Sequence, residues 1–401
     1  MTSATALQQH FTALDAFLHA HQGLWRPRPF TQHPQLPWET EHPQLASWLR
    51  SRSLEQAEAA HNQPHLLAAP APFPELAAQA QALSQLPDLP QQLPQQLAPR
   101  FSVDVPGRKW QQIEAFAGCL AFTEQPAHWL DWCAGKGHLG RLLAHRGGAL
   151  TCLEHDPQLV EAGAHLSHKL GIQARHIQQD VLADEAAQQL QAAHSPVALH
   201  ACGDLHIRLL QLASQAGCRQ LAVSPCCYNR TRATTYQPLS AQAARTPLQL
   251  SRNDLALPLS ETVTAGARTR RQRDQSMAWR LGFDLLQRQL RGLDEYLPTP
   301  SLAPAWLHKS FAEFCCHLAA LKQLPAPGPQ PWEQLEKQGW QRLAEVRNLE
   351  LLRGLFRRPL EVWLLLDRAL YLQEQGYRVR LGQFCPAQLT PRNLLLLAER
   401  D

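Results

Sequence analysis

The stretch DWCAGKGHLG, residues 131–140, spaces Gly135, Gly137 and Gly140 as G-x-G-x-x-G, four residues beyond Asp131. Glycines so placed let a backbone turn sharply and come close to a nucleotide, so this loop is the first candidate for chemistry. A plain structural strand-to-helix turn has the same spacing. Two more carboxylates follow at the ends of apolar runs, Glu154 in CLEHD and Asp180 in HIQQDVL. Asp131 would repel the pyrophosphate of a dinucleotide and suits a ligand carrying an amino group and a sulfonium. Glu154, 23 residues further on, can accept ribose hydroxyls, and Asp180 can meet an adenine edge. Taken singly, each reads equally as a helix cap or a solvated charge. As a set at successive strand ends they point to one ligand.

Groups able to act on a second substrate cluster in SPCCYNR (224–230) and LHACGD (199–204). Cys226 and Cys227 have three readings. They fill a tight turn as buried thiols, or they join Tyr228 and Asn229 as catalytic residues on the acceptor side. The third reading is zinc ligation with Cys202, His200, Cys133 or His138. The C-x-x-C pairs that announce strong zinc sites are absent, so no metal is expected. His200 and Asp204 bracket the turn and read as functional groups or as turn caps. Cys315 and Cys316, in FAEFCCHLAALKQL, read as core, and Asp184 as a first-turn helix charge.

The elements that must hold these groups follow from the pattern. AHWLDWC, ALTCLEHD, IQARHIQQD, PVALHACGD and RQLAVSPCC read as strands, separated by helical HLGRLLAHRG, PQLVEAGAHLSHKLG, EAAQQLQAAH and LHIRLLQLASQAG. Such alternation predicts βαβ units, a parallel sheet and a doubly wound α/β fold. YRVRLGQFC and NLLLLAER add a closing strand pair, which makes seven strands. Four regions result: 1–99, helical and Pro/Gln-rich; 100–239, the α/β core; 240–375, a helical insertion; and 376–401, the closing pair. EVWLLLDRALYL is broken by Asp367 and Arg368 and reads as a buried helix.

DWCAGKGHLG, CLEHD, QQDVL and HACGD resemble the successive cofactor motifs of class I S-adenosylmethionine-dependent methyltransferases. The variant with an AGKGHLS-like loop, H-x-CG at the fourth strand and a vicinal CC after the fifth is similar to a particular branch. That branch includes eukaryotic methyltransferase-like proteins, the glutathione S-transferase C-terminal-domain-containing protein and, more distantly, a tRNA ribose methyltransferase. GRKWQQIEAF (107–116) and LTPRNLLLLAER match its pre-loop segment and closing strand. The resemblance spans roughly residues 100–230 and 355–401 and leaves 1–95 untouched. It implies S-adenosyl-L-methionine as cofactor, with Asp131, Gly135 and Gly137 against its methionine part and Cys133, Ala134 and His200 also among the cofactor-binding residues. Glu154 would then meet the ribose and Asp180 the adenine. Gly140 departs from the serine of several relatives.

With 44% apolar and 18% charged residues and a net charge of +4, the composition is globular and names no partner by itself. Eleven arginines stand against six acids over residues 230–300, with ARTRRQR (267–273) the densest run. That excess suits a phosphate backbone, although a solvated helix surface reads the same way. RNA is therefore expected ahead of protein as methyl acceptor, approached through the arginine-rich 230–291. A protein partner on the helical regions is the other expectation. Against the enzyme stand a non-catalytic module on the cofactor fold and a NAD-dependent oxidoreductase. No export signal or apolar span of ~20 residues is visible, and ten scattered cysteines suit reduced thiols, so a cytoplasmic protein away from membranes is expected.

Overall fold

The structure, a computed structural model, describes residues 4–32, 34–92, 99–145, 147–260 and 266–401. Seven strands form one sheet: β1 His128–Trp132, β2 Ala149–Glu154, β3 Ala174–Gln178, β4 His194–Ala201, β5 Gln220–Pro225, β6 Arg378–Gln383 and β7 Leu394–Glu399. Their order is β3-β2-β1-β4-β5-β7-β6. β1 to β5 run parallel, whereas β7 lies antiparallel between β5 and β6. All six residues of β5 are buried, and so are the first five of β7, the continuous burial expected of strands covered on both faces. The expected doubly wound fold with a closing antiparallel pair is present.

The chain divides into two compact units: Met1–His19, Leu83–Ser260 and Arg358–Asp401 form one, Ala20–Ala82 and Glu261–Arg357 the other. In the sheet unit, Ile113, Phe116, Leu139, Leu142, Leu150, Val197 and Leu395 belong to one buried apolar cluster. Asp367 and Arg368 are fully buried in helix Arg357–Glu374, as the sequence reading has it. The Asp367 carboxylate accepts from the backbone N–H groups of Leu239 and Ser240 and from the Ser240 hydroxyl at 2.7–3.0 Å. Arg368 donates to Tyr236 Oη at 2.5 Å, to Leu364 O at 2.8 Å and to His206 Nε2 at 3.1 Å. A buried ion pair is tolerated only when its remaining donors and acceptors are met in this way.

The other unit packs helices Ala267–Arg291, Phe311–Leu321 and Trp332–Gly354 around Trp279, Phe283, Phe311, Phe314 and Leu318. Buried Asp284 accepts from Arg342 at 2.9 Å and Arg288 at 3.0 Å within it.

Two local expectations differ. EAAQQLQAAH is not an α-helix; only a 3-10 segment, Asp184–Gln189, lies between β3 and β4. His194, the last residue of that run, belongs to β4 and pairs with His128. Cys315 is core, but Cys316 is exposed, because neighbouring helix positions point about 100° apart. Among the described residues no helix is long and apolar enough to cross a membrane.

Candidate active site

β1 pairs with β2 on one side and β4 on the other, so the strand order reverses there and a crevice opens beyond the carboxyl ends. The glycine loop lies at that point. Chain direction reverses between Trp132 and helix His138–Ala144 through positive φ at Cys133 (57°), Gly135 (56°) and Gly137 (69°). A non-glycine residue held there costs of order 1–3 kcal/mol, and such strain gathers at functional sites. Cys133 is one such residue; His200, with φ 60°, is another, at an irregularity between Leu199 and Ala201 of β4.

A cavity of about 300 Å³ sits over these strand ends, lined by Cys133, Leu153, Glu154, Gln179, Asp180 and Leu205 among others. The carboxylates of β2 and of the β3 end thus line one cavity. Glu154 is half-buried and well tethered. Its Oε2 accepts from Gly135 N at 2.8 Å, and its Oε1 from His155 N and Asp156 N at 2.9 and 3.0 Å. Three of roughly four acceptor positions are used, which leaves about one for a ligand hydroxyl. Asp180 is exposed and accepts from Leu182 N at 3.0 Å. Leu153, Val181 and Leu205 supply apolar walls. Burial pushes the Cys133 thiol up to about 12, so it is a neutral wall group.

Asp131 is placed differently. It lies beneath the loop, 3% exposed, and its Oδ2 accepts from Gly140 N at 2.8 Å. Burial pushes its carboxyl up to about 7, against the pull of the Gly140 N–H and the charges of Arg141 and Lys109. It supports the loop from below instead of lining the cavity. This explains the glycine at 140: a Cβ there would stand 2.7 Å from Leu150 Cδ1 and 3.0 Å from Asp131 Oδ2.

His200 also turns away from the cavity wall. Its Nε2 bonds Gln112 Oε1 at 2.9 Å, and Gln112 donates in turn to Leu389 O at 3.1 Å. Burial, with Arg392 and Lys109 nearby, lowers it to about 4, which keeps the ring neutral. Gln112 and Arg392 escaped sequence reasoning; the signal available was only their place in GRKWQQIEAF and LTPRNLLLLAER. Gln179 and His155, both on the cavity, lie within QQDVL and CLEHD, where the carboxylates beside them drew the assignment.

On the acceptor side the structure gathers three thiols. Cys202 Sγ lies 3.2 Å from Cys226 Sγ, and the carbonyl of His200 receives Cys226 Sγ at 3.1 Å. Shared hydrogen bonds hold Cys227 below the ordinary thiol range and push Cys226 above it. Tyr228 is buried, its ring 5.7 Å from His206 and 5.1 Å from the Arg368 guanidinium. Ser224 Oγ, Tyr228 Oη and Asn229 Oδ1 are buried with no hydrogen-bond partner among the described residues.

A family model described as a methyltransferase domain matches residues 108–234, from the pre-loop helix to just past the paired cysteines. The matched segment contains β1 to β5, the glycine loop, the cavity and the three thiols. A solved structure entitled METTL16 MTase domain is 15% identical and covers 48% of this chain and 81% of its own, with a TM-score of 0.21, too low to carry an argument. Comparison with curated proteins finds no match.

Proposed function

We propose that the chain transfers a methyl group from S-adenosyl-L-methionine to a macromolecular acceptor, RNA ahead of protein. The cavity joining Glu154 and Asp180 beside the glycine loop carries this reading. Its make-up fits a nucleoside: apolar Leu153, Val181 and Leu205 for a ring, carboxylates at two successive strand ends for hydroxyl and amine hydrogens. In this reading Glu154 takes the ribose, Asp180 the adenine edge, and the backbone of Cys133, Ala134 and Gly135 the methionine side, with Asp131 fixing the loop. Bound there, the cofactor supplies an electrophilic methyl on a sulfonium. The residues' task is then alignment and exclusion of water, which supplies much of the rate of an in-line displacement.

RNA is favoured because Arg230 and Arg232 are exposed just after the paired cysteines, and Arg268, Arg270 and Arg271 are exposed with no ion-pair partner among the described residues. Ten free cysteines suit a reducing compartment, hence the cytoplasm.

Calorimetric titration with S-adenosylhomocysteine and, separately, with NADH tests the cofactor. Binding of S-adenosylhomocysteine, weakened about tenfold or more by Glu154→Ala with the fold intact, is expected. Binding of NADH alone overturns the reading in favour of an oxidoreductase. Labelled cofactor incubated with a lysate of a deletion strain then shows the acceptor, and label absent from every fraction marks a non-catalytic module.

A further inference from the structure

We propose that Cys202, Cys226 and Cys227 form a binding site for a thiophilic divalent cation, zinc by preference. The three sulfurs lie within 4.8 Å of one another, and the Cys202–Cys226 pair stands at 3.2 Å. Zinc–sulfur bonds of about 2.3 Å require sulfurs about 3.8 Å apart around a tetrahedral ion. The Cys202–Cys226 pair stands inside that distance and Cys227 Sγ lies within 4.8 Å of both, near enough for the three sulfurs to share one ion.

The fold builds this convergence from two separate loops. Cys202 follows β4, and Cys226 and Cys227 follow β5, its parallel neighbour, with Ala201 opposite Pro225. Backbone bonds tie the loops: Cys226 N donates to Ala201 O at 3.2 Å and Asp204 N to Arg230 O at 3.0 Å. The ligands are therefore held before any ion arrives. Ser224 Oγ, near the end of β5, and Tyr228 Oη and Asn229 Oδ1, in the loop after it, are buried without a hydrogen-bond partner among the described residues and flank the paired cysteines along the chain. Such concentrations mark places where an ion or ordered water completes the structure. Arg230, whose charge reaches Cys202 and Cys227, offsets the negative charge of a tris-thiolate complex.

Among the described residues no fourth His, Cys, Asp or Glu meets the same distance. Three protein ligands and one open position characterise reactive zinc centres, whereas structural ones are closed by four. Cys133, on the cavity wall, follows β1 and Cys202 follows β4, its parallel neighbour, so cluster and cavity share the carboxyl edge of the sheet. An acceptor atom or water in the open position would lose its proton more readily. That use of the ion rests on the methyltransferase reading; the ion site does not.

The test uses the full chain, reduced and freed of metal with a chelator, titrated with Co(II) alone and then with Zn(II). Expected are one Co(II) per chain, thiolate-to-cobalt charge-transfer bands, displacement by Zn(II), proton release on binding, and protection of three thiols from a disulfide reagent. Cys202→Ser and Cys227→Ser should each weaken Co(II) about tenfold or more while leaving S-adenosylhomocysteine affinity in place; Cys316→Ser should change neither. Reduced, titratable thiols without charge-transfer bands overturn the proposal, and so do bands that survive both serine variants. If a variant fails to fold, the wild-type spectrum and thiol count decide alone. Cobalt bands without any S-adenosylhomocysteine binding would uphold the ion site and reject the cofactor reading.

Discussion

Gly203 rests on the backbone carbonyl of Arg230 so closely that a Cβ at 203 would stand 1.8 Å from that oxygen and 2.5 Å from its carbon. Its φ of 49° and ψ of −123° add a conformation that side chains avoid. This contact, with the Asp204 carboxylate accepting from Arg232 N at 2.8 Å, joins the loop after β4 to the loop after β5. Gly203→Ala is expected to cost at least about 3 kcal/mol in urea denaturation, because overpacking against rigid backbone and left-handed strain act together. A loss under about 1 kcal/mol would show that the two loops part easily.

Gly140 meets a softer neighbour, the tip of the Leu150 side chain at 2.7 Å from an added Cβ. Gly140→Ala should destabilise by about 1–3 kcal/mol. In a Leu150→Ala background the same substitution should cost much less, since the two positions share one volume. Additive losses in the double variant would place the strain elsewhere, at the Asp131 carboxylate.

Asp131 carries a pH dependence of definite sign. Its carboxyl, raised to about 7 by burial, stays protonated in the folded protein where an unfolded carboxyl, near 4, has ionised. Its stabilising contribution is complete below about pH 4 and is lost as pH rises through about 7. The groups facing it are the Gly140 N–H, Arg141, Lys109 and Glu154. Asp131→Asn keeps an acceptor for Gly140 N and cannot ionise. Thermal melts at pH 5 and pH 8 should show the variant gaining on the wild type at the higher pH, by about 1–3 kcal/mol. A cationic ligand on the loop should bind the wild type more tightly as pH rises and should lose this dependence in the variant.

The exposed Arg268, Arg270 and Arg271 make the RNA expectation measurable. Each phosphate contact adds about 0.7–0.9 to the slope of log affinity against log salt. Changing all three to glutamine should lower that slope by about 2 and leave S-adenosylhomocysteine affinity unchanged. RNA binding that is indifferent to salt in the wild type would remove the arginine surface from the account.

Much of the site could be read along the chain, because its parts are local. The strand–loop–helix around Asp131 to Gly140, and the carboxylates closing β2 and β3, are consecutive residues whose spacing already states which end of a parallel sheet they share. The apolar runs LAVSP and LLLL likewise announce strands covered on both sides. What the chain alone determined, then, is the sheet, its order-switch loop and the presence of Glu154 and Asp180 at one edge.

Tertiary packing decided the rest. Whether Asp131 faces the cavity or the helix start depends on Gly140 and Leu150, nine and nineteen residues away, and on how little room they leave. His200 meets Gln112, 88 residues distant, and Cys202 meets Cys226 and Cys227, because β4 and β5 lie side by side. Residues 20–82 share a unit with 261–357 through contacts that no local pattern encodes. Periodicity reports which face of an element is apolar; it does not report which distant element covers that face, since that choice belongs to the complementary shapes of both.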